Sequence, residues 1–242
     1  MKKFYFLLLA AVFAVSADVY AQGESKIAQA SAAAPDCSGE NFYVGYNIVS
    51  VEWNVDQRYM EEEYPLNSGI TAGYNKRMGL NVSSFPLYVD YGANFSYMFG
   101  SSEDIFEEDD YEGKYKTSVN VASINVPLAV TTPFQVDNIT ILPYVGVNLR
   151  FNLFGKQKET VEASYDGEDL SNSETYDLFN KDDMGGYPFG RFQAGLNLGV
   201  NIEFEKYTVG IGYVNDFSPV YDVEGLFTGT FSAATISVGY KF

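Results

Sequence analysis

The residues of this sequence that could do chemistry are a few charged and hydroxyl side chains, spaced along segments of alternating polarity. Two carboxylates such as Asp90 and Glu203 could share acid–base work if a cleft brought them together. The chain of 242 residues contains no histidine, which excludes the commonest general base, the Ser-His-Asp and Cys-His pairs and most zinc sites. Because nothing in the spacing predicts a cleft, we expect no catalytic residue, no cofactor, no metal site and no enzyme activity. The candidate residues are Asp90, Tyr144, Arg150, Arg191, Glu203 and Lys241.

These side chains must be positioned by β-strands, because apolar and polar residues alternate with period two from about residue 41 onward. In 191–204, seven apolar residues ending at Phe204 share one face, and seven polar or small residues beginning at Arg191 share the other. The apolar phase slips between Val121 and Ile124, which predicts a β-bulge. The pattern predicts eight strands, at about 42–53, 69–77, 87–99, 117–131, 139–153, 191–204, 207–213 and 230–242.

The lengths of these strands and of their connections indicate a membrane barrel. Several strands exceed the ~5–6 residues of soluble sheets and match the ~9–11 residues that cross a bilayer at a tilt. Three connections are short, and four are long, at about 54–67, 101–116, 155–188 and 216–229, which is the layout of outer-membrane barrels. We therefore predict an all-β, eight-stranded antiparallel up-and-down transmembrane β-barrel.

The distribution of charge supports this fold and limits the partners. The four long loops hold 23 acidic and 6 basic residues, which accounts for the whole net charge of −17. Charge confined to loops disfavours the soluble alternative, a secreted lipocalin-like barrel, which would carry charge on its outer strand faces. So acidic a surface repels phosphate, and we expect no nucleic-acid partner.

The amino terminus is typical of an exported protein. Two lysines precede an apolar run of about a dozen residues, and small residues follow. This pattern predicts a cleaved signal peptide at 1–21, with an uncleaved anchor as the alternative. Residues 22–40 are then predicted to form a flexible periplasmic lead segment before a barrel at 41–242. Cys37, the only cysteine, lies in that segment, so a disulfide within the chain is impossible.

Four short motifs follow one another along the predicted barrel: Ile-Asn-Val-Pro-Leu-Ala at 124–129, Pro-Tyr-Val-Gly at 143–146, Gly-Leu-Asn-Leu-Gly-Val-Asn at 195–201 and Ile-Ser-Val-Gly-Tyr-Lys-Phe at 236–242. In this order they resemble the porin-like outer-membrane β-barrel proteins of Bacteroidetes, a family that includes PorT-like secretion accessories. Leu142 departs from the Gly-Pro-Tyr pattern of that family. The resemblance implies an eight-stranded meander that the barrel-assembly machinery inserts into the bacterial cell outer membrane, with its lipid as a partner. It implies that Tyr240 and Phe242 form the assembly signal, and it implies no catalytic residues.

The interior of the predicted barrel and its long loops suggest where function lies. An eight-stranded barrel is just wide enough for its own side chains, so we expect the six candidate residues to form an internal network that fills the lumen. A proton or ion path along the same groups is the alternative. Dense acidic runs favour a solvated, repelling loop surface, with weak Ca²⁺ or Mg²⁺ capture as the alternative. The tyrosines among them are typical of interfaces, which suggests binding of an extracellular protein or glycan.

The sequence therefore favours a non-enzymatic outer-membrane scaffold that presents acidic, tyrosine-containing loops for surface interaction or envelope integrity. A narrow porin-like channel, or an accessory component of outer-membrane transport or secretion, is the alternative. An outer-membrane hydrolase or acyltransferase ranks last because the chain lacks histidine. The sequence leaves open whether the third long loop, 155–188, folds inward as a plug or stands outward as a hairpin.

Overall fold

The computed structural model of the chain describes residues 36–55, 58–59, 64–80, 86–108, 111–165, 168–223 and 227–242. The predicted signal peptide, most of the predicted lead segment and the acidic runs at 61–63 and 109–110 lie outside the described residues. From Cys37 to Phe242 the described chain forms one compact unit. Among the described residues, no helix is both long enough and apolar enough to cross a membrane.

Long antiparallel strands form a closed wall, and each strand pairs with its neighbour along the chain. The first strand also pairs with the last, from Asn41↔Lys241 to Val55↔Phe227, so the sheet closes into a ring. This topology confirms the predicted eight-stranded up-and-down barrel. The wall strands are β1 (Gly39–Val55), β2 (Ser68–Leu80), β3 (Leu87–Glu108), β4 (Tyr111–Thr131), β5 (Ile139–Tyr165), β6 (Phe192–Phe204), β7 (Tyr207–Asp216) and β8 (Phe227–Lys241). Short strands attach to them at Arg58–Tyr59, Phe134–Val136, Glu168–Asp169, Asn172–Asp177 and Tyr221–Val223.

The two ends of the barrel differ in their connections. One end, here called the turn end, carries the start of β1, the end of β8 and tight turns such as Glu205-Lys206. The opposite end, the loop end, carries the long connections. Asp137 and Glu205 adopt left-handed backbone conformations, with φ of 53° and 52°, because each lies in a tight turn between two antiparallel strands.

Two of the four predicted loops are largely β-sheet, which corrects their assignment as loops. β3 runs to Glu108 and β4 starts at Tyr111, so the predicted loop 101–116 is a hairpin that continues the wall beyond the barrel. β5 likewise runs to Tyr165 and pairs with Asn172–Asp177. The period-two pattern persists in these segments, but the acidic runs placed at the hairpin tips obscured it in the sequence.

The β-bulge predicted in the fourth strand lies instead in the fifth. Ala122 pairs with Phe154 and Ser123 with Asn152, so the extra residue is Leu153 of β5. The register between β4 and β5 shifts between Ala122 and Ser123, where the apolar phase of the sequence slips. Ala122 is completely buried, and the outward-facing rings of Tyr97 and Phe154 meet beside it with centroids 6.4 Å apart. β4 itself keeps one phase, with Asn125 and Val121 both inward, so the slip in its sequence marks an inward face that is polar toward the turn end and apolar toward the loop end. The bulge moves the outward series of β5 from Leu153 to Phe154.

An apolar band surrounds the outside of the barrel. On β1, the outward side chains of Phe42, Val44, Tyr46 and Ile48 are 46–59% exposed, a pattern that only a lipid environment makes favourable. Comparable outward apolar residues occur on every other wall strand. They include Ile70, Phe95, Val126, Val147, Leu196, Ile211 and Ile236.

The first strand begins earlier than the sequence suggested. β1 starts at Gly39, and Cys37 is only 4% exposed. The backbone N–H of Cys37 donates a hydrogen bond of 3.2 Å to the hydroxyl of Tyr88 on β3. The end of the predicted flexible lead segment is therefore packed against the barrel rather than mobile, which corrects its boundary and the placement of the thiol.

Candidate functional site

The lumen at the turn end is crossed by four charged side chains, here called the charged crossbar: Arg77, Asp90, Glu203 and Lys241. The guanidinium of Arg77 donates to both oxygens of Asp90, at 2.7 and 3.1 Å, and to Glu203 Oε1 at 2.6 Å. Lys241 Nζ donates to Glu203 Oε2 at 3.0 Å. Two positive and two negative charges cancel, so the crossbar joins the strands without leaving a net charge in the lumen.

The barrel register brings these residues together. Arg77 on β2 lies directly opposite Asp90 on β3, whereas Glu203 comes from β6 and Lys241 from β8. The ion pairs between Arg77 and Glu203 therefore cross the lumen rather than follow the wall. Side-chain exposures of 8–12% for Arg77, Asp90 and Glu203 make these interactions strong, because solvent screening is small.

Arg77 is the crossbar residue that the sequence analysis missed. The alternation in β2 is interrupted by Lys76 beside Arg77, so the strand did not reveal which of the two basic residues points inward. Lys76 points outward to Glu40 at 3.0 Å, with both side chains over one-third exposed. The buried carboxylates at 90 and 203 were the available signal, since each requires a cationic partner on a neighbouring or facing strand.

A layer of uncharged polar side chains lies next in the lumen. Asn125 donates through Nδ2 to Asn94 Oδ1 at 2.8 Å and to Ser96 Oγ at 3.0 Å. Ser96 in turn donates to Thr71 at 3.1 Å, and Arg150 Nε donates to Asn125 Oδ1 at 3.3 Å. These bonds link β2, β3, β4 and β5 on their inner faces, which satisfies polar groups that would be costly to bury alone.

Arg150 and Asp216 form an almost fully buried ion pair in the interior. Arg150 Nη1 lies 3.3 Å from Asp216 Oδ2, and their side chains are 5% and 0% exposed. The guanidinium carbon lies 5.0 Å from the centre of the Phe231 ring, so Arg150 contacts polar groups on one side and an aromatic face on another. Asp216 was assigned to the fourth loop, but it closes β7 and faces the lumen, opposite Gly195. A Cβ at Gly195 would lie 2.5 Å from its carboxylate, so glycine is required there.

At the loop end the lumen is filled by an apolar cluster, here called the loop-end cluster. Strands contribute inward side chains, and three long connections fold over the mouth to contribute the rest: Leu66 from the first, Leu178 and Phe189 from the third, and Val220 from the fourth. All four are at most 5% exposed. The strand members are Val49, Val51, Met98, Val119, Val121, Phe231 and Ala233.

Aromatic side chains cover this cluster. The rings of Trp53 and Tyr64 meet edge to face at 5.6 Å, and those of Phe189 and Tyr221 lie 5.3 Å apart. Tyr64 donates to Gln157 Oε1 at 3.0 Å, which ties the first connection to β5. Burial raises the pKa of the Tyr64 hydroxyl above its ordinary value, so this group stays neutral. The third predicted loop thus does both things left open above: it projects as a hairpin and then returns as part of a plug.

Two further candidate residues, Tyr144 and Arg191, lie in different places. Tyr144 lies inside the barrel, where its hydroxyl would be 2.5 Å from a Cβ at Gly199 or Gly212, so the two glycines make room for its ring. Arg191 does not face the lumen, which corrects its predicted position. It precedes β6, is exposed, and lies with its guanidinium carbon 4.6 Å from the centre of the Phe179 ring.

The predicted assembly residues lie on the outside of the turn end. Tyr240 and Phe242 are 43% and 64% exposed, and their rings stack at 6.5 Å. Tyr240 also meets Tyr207 edge to face at 6.0 Å, and Tyr207 contacts Phe204 at 5.6 Å. These four rings form a continuous aromatic segment at the position expected for a membrane interface.

A polar cavity of about 140 Å³ remains in the lumen. Crossbar residues and Asn94, Asn125 and Asn148 line it, and of the described loop-end cluster only Met98 and Ala233 reach it. The space is enough for several water molecules. Because both crossbar carboxylates bind one guanidinium, the arrangement holds strands together and offers no free acid–base pair. In the described part of the chain, no group of three or more Cys, Asp or Glu residues is placed to hold a metal ion.

Acidic side chains also meet outside the barrel, on the hairpin formed by β5 and Asn172–Asp177. Glu159 and Glu174 lie directly opposite each other in the register. Tyr176 donates to Glu174, and this hydrogen bond raises the pKa of Tyr176 to about 12. The tyrosines predicted among the acidic loops therefore include one that is tied to a carboxylate rather than free for a partner.

Comparisons with known proteins found a matching family model and several similar solved structures. The family model for the outer membrane protein beta-barrel domain matches residues 38–222. No protein of curated function matches the chain. Similar solved structures include Ail, the attachment invasion locus protein of Yersinia pestis, in complex with the heparin analogue sucrose octasulfate, at 12% identity and a TM-score of 0.31, covering 85% of this chain and 99% of that one.

Two further solved structures have similar scores. Neisserial surface protein A is 13% identical, with a TM-score of 0.35 and coverage of 83% of this chain and 97% of that one. OprG from Pseudomonas aeruginosa is 8% identical, with a TM-score of 0.36 and coverage of 85% and 96%. Similarity at this level supports no transfer of function.

Proposed function

Because the chain belongs to the outer membrane protein beta-barrel domain family, we propose that it is a closed outer-membrane scaffold whose loop end is a braced surface for binding at the cell exterior. The observation that carries this proposal is the loop-end cluster. It fills the mouth of the lumen and, through Leu66, Phe189 and Val220, fixes three connections to the barrel wall. Loops fixed in this way lose little conformational entropy when they bind a partner, which favours recognition.

The interior supports a closed barrel rather than a pore. A solute entering at the turn end meets the charged crossbar, and one reaching the loop end meets completely buried side chains such as Phe231 and Val121. The alternative, a narrow channel or an accessory component of transport or secretion, is favoured by the cavity of about 140 Å³. That cavity would need a second opening through the cluster to conduct.

The surface chemistry supports a protein or glycan as the extracellular partner. The loop end displays acidic residues in quantity, among the described ones Glu103, Glu159, Glu174 and Asp222. Aromatic and polar groups alternate with them, a composition typical of recognition surfaces. In this orientation the turn end faces the periplasm, and Tyr240 and Phe242 form the signal that the barrel-assembly machinery reads during insertion.

Conductance and loop order together test the proposal. We expect the refolded wild-type barrel to be silent in a planar bilayer, and the Phe231→Ala/Arg77→Ala variant to show discrete conductance because it opens both the loop-end cluster and the charged crossbar. Spin labels placed at Thr175 and Asp222 should give a narrow distance distribution in the wild type and a broad one in Phe231→Ala. Ala234→Ser, at an exposed outward position of β8, is the matched control and should behave as wild type. Steady conductance of the wild-type barrel would refute a closed scaffold and favour the channel.

A further inference from the structure

Most of the basic residues of the long connections lie on one face of the molecule. The four ranges predicted as loops contain six basic residues, and four of these are on the hairpin extensions of β4 and β5. These four are Lys114, Lys116, Lys156 and Lys158, and all are exposed. On β5, Lys156 and Lys158 continue the outward face that carries Phe154, which is 47% exposed.

The strand neighbours of Lys156 and Lys158 include one acidic residue, Asp177, which lies opposite Lys156. Across the β4–β5 pairing they face Asn120 and Ser118, which are neutral. On the other side Lys158 faces Thr175, and Lys156 faces Asp177, whose Oδ1 accepts the backbone N–H of Phe179 at 2.9 Å. Within the described residues neither lysine forms an ion pair, whereas Lys114 pairs with Glu103 at 3.3 Å.

The heights of the two lysines match the headgroup layer of a membrane. Two strand residues advance about 7 Å, or about 5 Å along the membrane normal at a tilt of about 40°. Lys156 and Lys158 thus lie about 5 and 10 Å beyond Phe154, in or just above a headgroup layer about 5–8 Å thick, which lysine side chains can reach by bending down. Lys116 is six residues beyond Ala122, about 15 Å by the same arithmetic, and Lys114 is further still.

A third cation lies just before the start of β6, where its backbone pairs with Asn152 near the edge of the apolar band. Arg191 Nη1 donates to the backbone oxygens of Leu153 and Asn152, at 2.9 and 3.3 Å, and its side chain is exposed. We propose that Lys156, Lys158 and Arg191 form a binding surface for the phosphate-bearing headgroups of the lipid leaflet at the loop end. The apolar band below them would receive the acyl chains of the same lipid, which makes a lipid a better fit than a free anion.

The arrangement would give this arc of the barrel a preference for anionic lipid. Like charges on neighbouring positions of one sheet face repel, and bound phosphate removes that repulsion. The remainder of the loop end is acidic, so lipid phosphates are drawn to this arc and repelled elsewhere. The proposal requires only the membrane barrel and does not depend on the nature of any surface partner.

Lipid competition on the folded barrel tests the proposal. Native mass spectrometry of the protein in detergent, with phosphatidylglycerol and phosphatidylcholine of identical chains, measures the preference directly. We expect about a fivefold contribution from each of the three cations, hence about a 125-fold preference for phosphatidylglycerol in the wild type and about a fivefold preference, from Arg191 alone, in Lys156→Gln/Lys158→Gln. Lys156→Arg/Lys158→Arg should retain the preference, and so should the control Lys114→Gln/Lys181→Gln.

Three results would overturn the proposal. They are no lipid preference in the wild type, an unchanged preference in Lys156→Gln/Lys158→Gln, or an equal loss in Lys114→Gln/Lys181→Gln. Displacement of the lipid by inorganic phosphate at matched concentration would also overturn it, because the surface would then bind a free anion. A gel of boiled and unboiled samples shows that each variant is folded before its lipid binding is compared.

Discussion

The two halves of the lumen are closed by opposite chemistry. At the turn end the charged crossbar links strands through ion pairs, while at the loop end aliphatic and aromatic side chains fill the same space. The outer surface changes from apolar toward the turn end to polar toward the loop end. On β1 the outward series passes from Ile48 to Ser50, and the inward series passes from Asn47 to Val49, both within two residues. The half of the barrel toward the turn end, here called the lower half, has a lipid-facing outside and a polar interior. The half toward the loop end, here called the upper half, resembles a water-soluble domain with an apolar core.

The same inversion occurs on other strands and marks the edge of the membrane. On β4 the outward residue changes from Ile124 to Asn120, while the inward residue changes from Asn125 to Val121. On β8 the inward series passes from Thr235 to Phe231. On the outside, the change from lipid to water explains the change of polarity. On the inside, the change follows from what fills the lumen, which is a polar cavity toward the turn end and the loop-end cluster toward the loop end. Side chains continue to alternate between the two faces along each strand, while the polarity of each face changes. One continuous sheet can therefore be stable in lipid at one end and in water at the other.

The largest expected effect comes from Arg150, which lies where the two halves meet. Arg150→Ala removes the cation that faces Asp216 and leaves a carboxylate buried at 0% exposure. We expect a loss of about 3–5 kcal/mol in the free energy of unfolding. Urea unfolding in lipid vesicles, followed by the fluorescence of Trp53, measures it, since Trp53 is the only tryptophan.

The double variant Arg150→Met/Asp216→Leu separates charge from packing. Replacing both partners by apolar residues of similar size should restore most of the stability, because no buried charge remains. If the double variant were as unstable as Arg150→Ala, the pair would owe its effect to shape rather than to charge. The boundary between the two halves would then be a packing feature.

The next effect tests the lower half, where the outside is lipid. Leu198 faces outward near the middle of β6, and Asn197 faces inward with 9% exposure. Leu198→Arg should cost about 2–4 kcal/mol in vesicles, because the charge lies near the midplane of the bilayer. Asn197→Ser, which keeps a polar side chain beside the cavity, should be nearly neutral. Equal effects in a lipid-refolding titration would show that the two faces are reversed.

A smaller effect tests the upper half, where the polarity is inverted. Val49 is buried in the loop-end cluster, and Ser50 points outward on the same strand. Val49→Ser should cost about 2 kcal/mol, because it removes two buried methyl groups and buries a hydroxyl. Ser50→Val should change stability by less than about 0.5 kcal/mol, as expected for an exposed site. The reverse ranking would mean that the membrane extends above Ile48 and that the inversion is misplaced.

The sequence predicted the lower half well and the upper half poorly, for a physical reason. Below the edge, lipid demands an uninterrupted apolar face, so the alternation of β6 could be read from residue types alone, whereas the bulge was assigned to β4 because the inward face of that strand changes from polar to apolar there. Above the edge, the apolar partners are far apart in the chain: Leu66, Phe189 and Phe231 meet only because three connections fold over the mouth. No pattern within a short stretch of the sequence predicts contacts between residues so far apart.

The candidate residues within regular strands were assigned to the correct face, whereas residues at strand ends were misplaced or missed. Asp90, Glu203 and Lys241 were found because strand alternation placed them on inward faces. Arg191 was misplaced because the alternation was extended one residue beyond the start of β6 at Phe192, where a side chain is no longer held to one face. Asp216 was missed because the following Phe-Ser-Pro reads as a loop, although the strand includes it.

The smallest expected effect on stability comes from Glu205, in a tight turn at the turn end. Glu205 holds φ at 52° in the tight turn between β6 and β7, a conformation that strains most side chains and suits Asn. Glu205→Asn should therefore stabilise the barrel by about 0.5–1 kcal/mol in the same urea titration. Glu205→Gln keeps the backbone strain and removes only the charge, so it separates the two causes. If Glu205→Gln were as stabilising as Glu205→Asn, the gain would come from relief of charge repulsion. The turn end would then be limited, like its crossbar, by electrostatics rather than by backbone geometry.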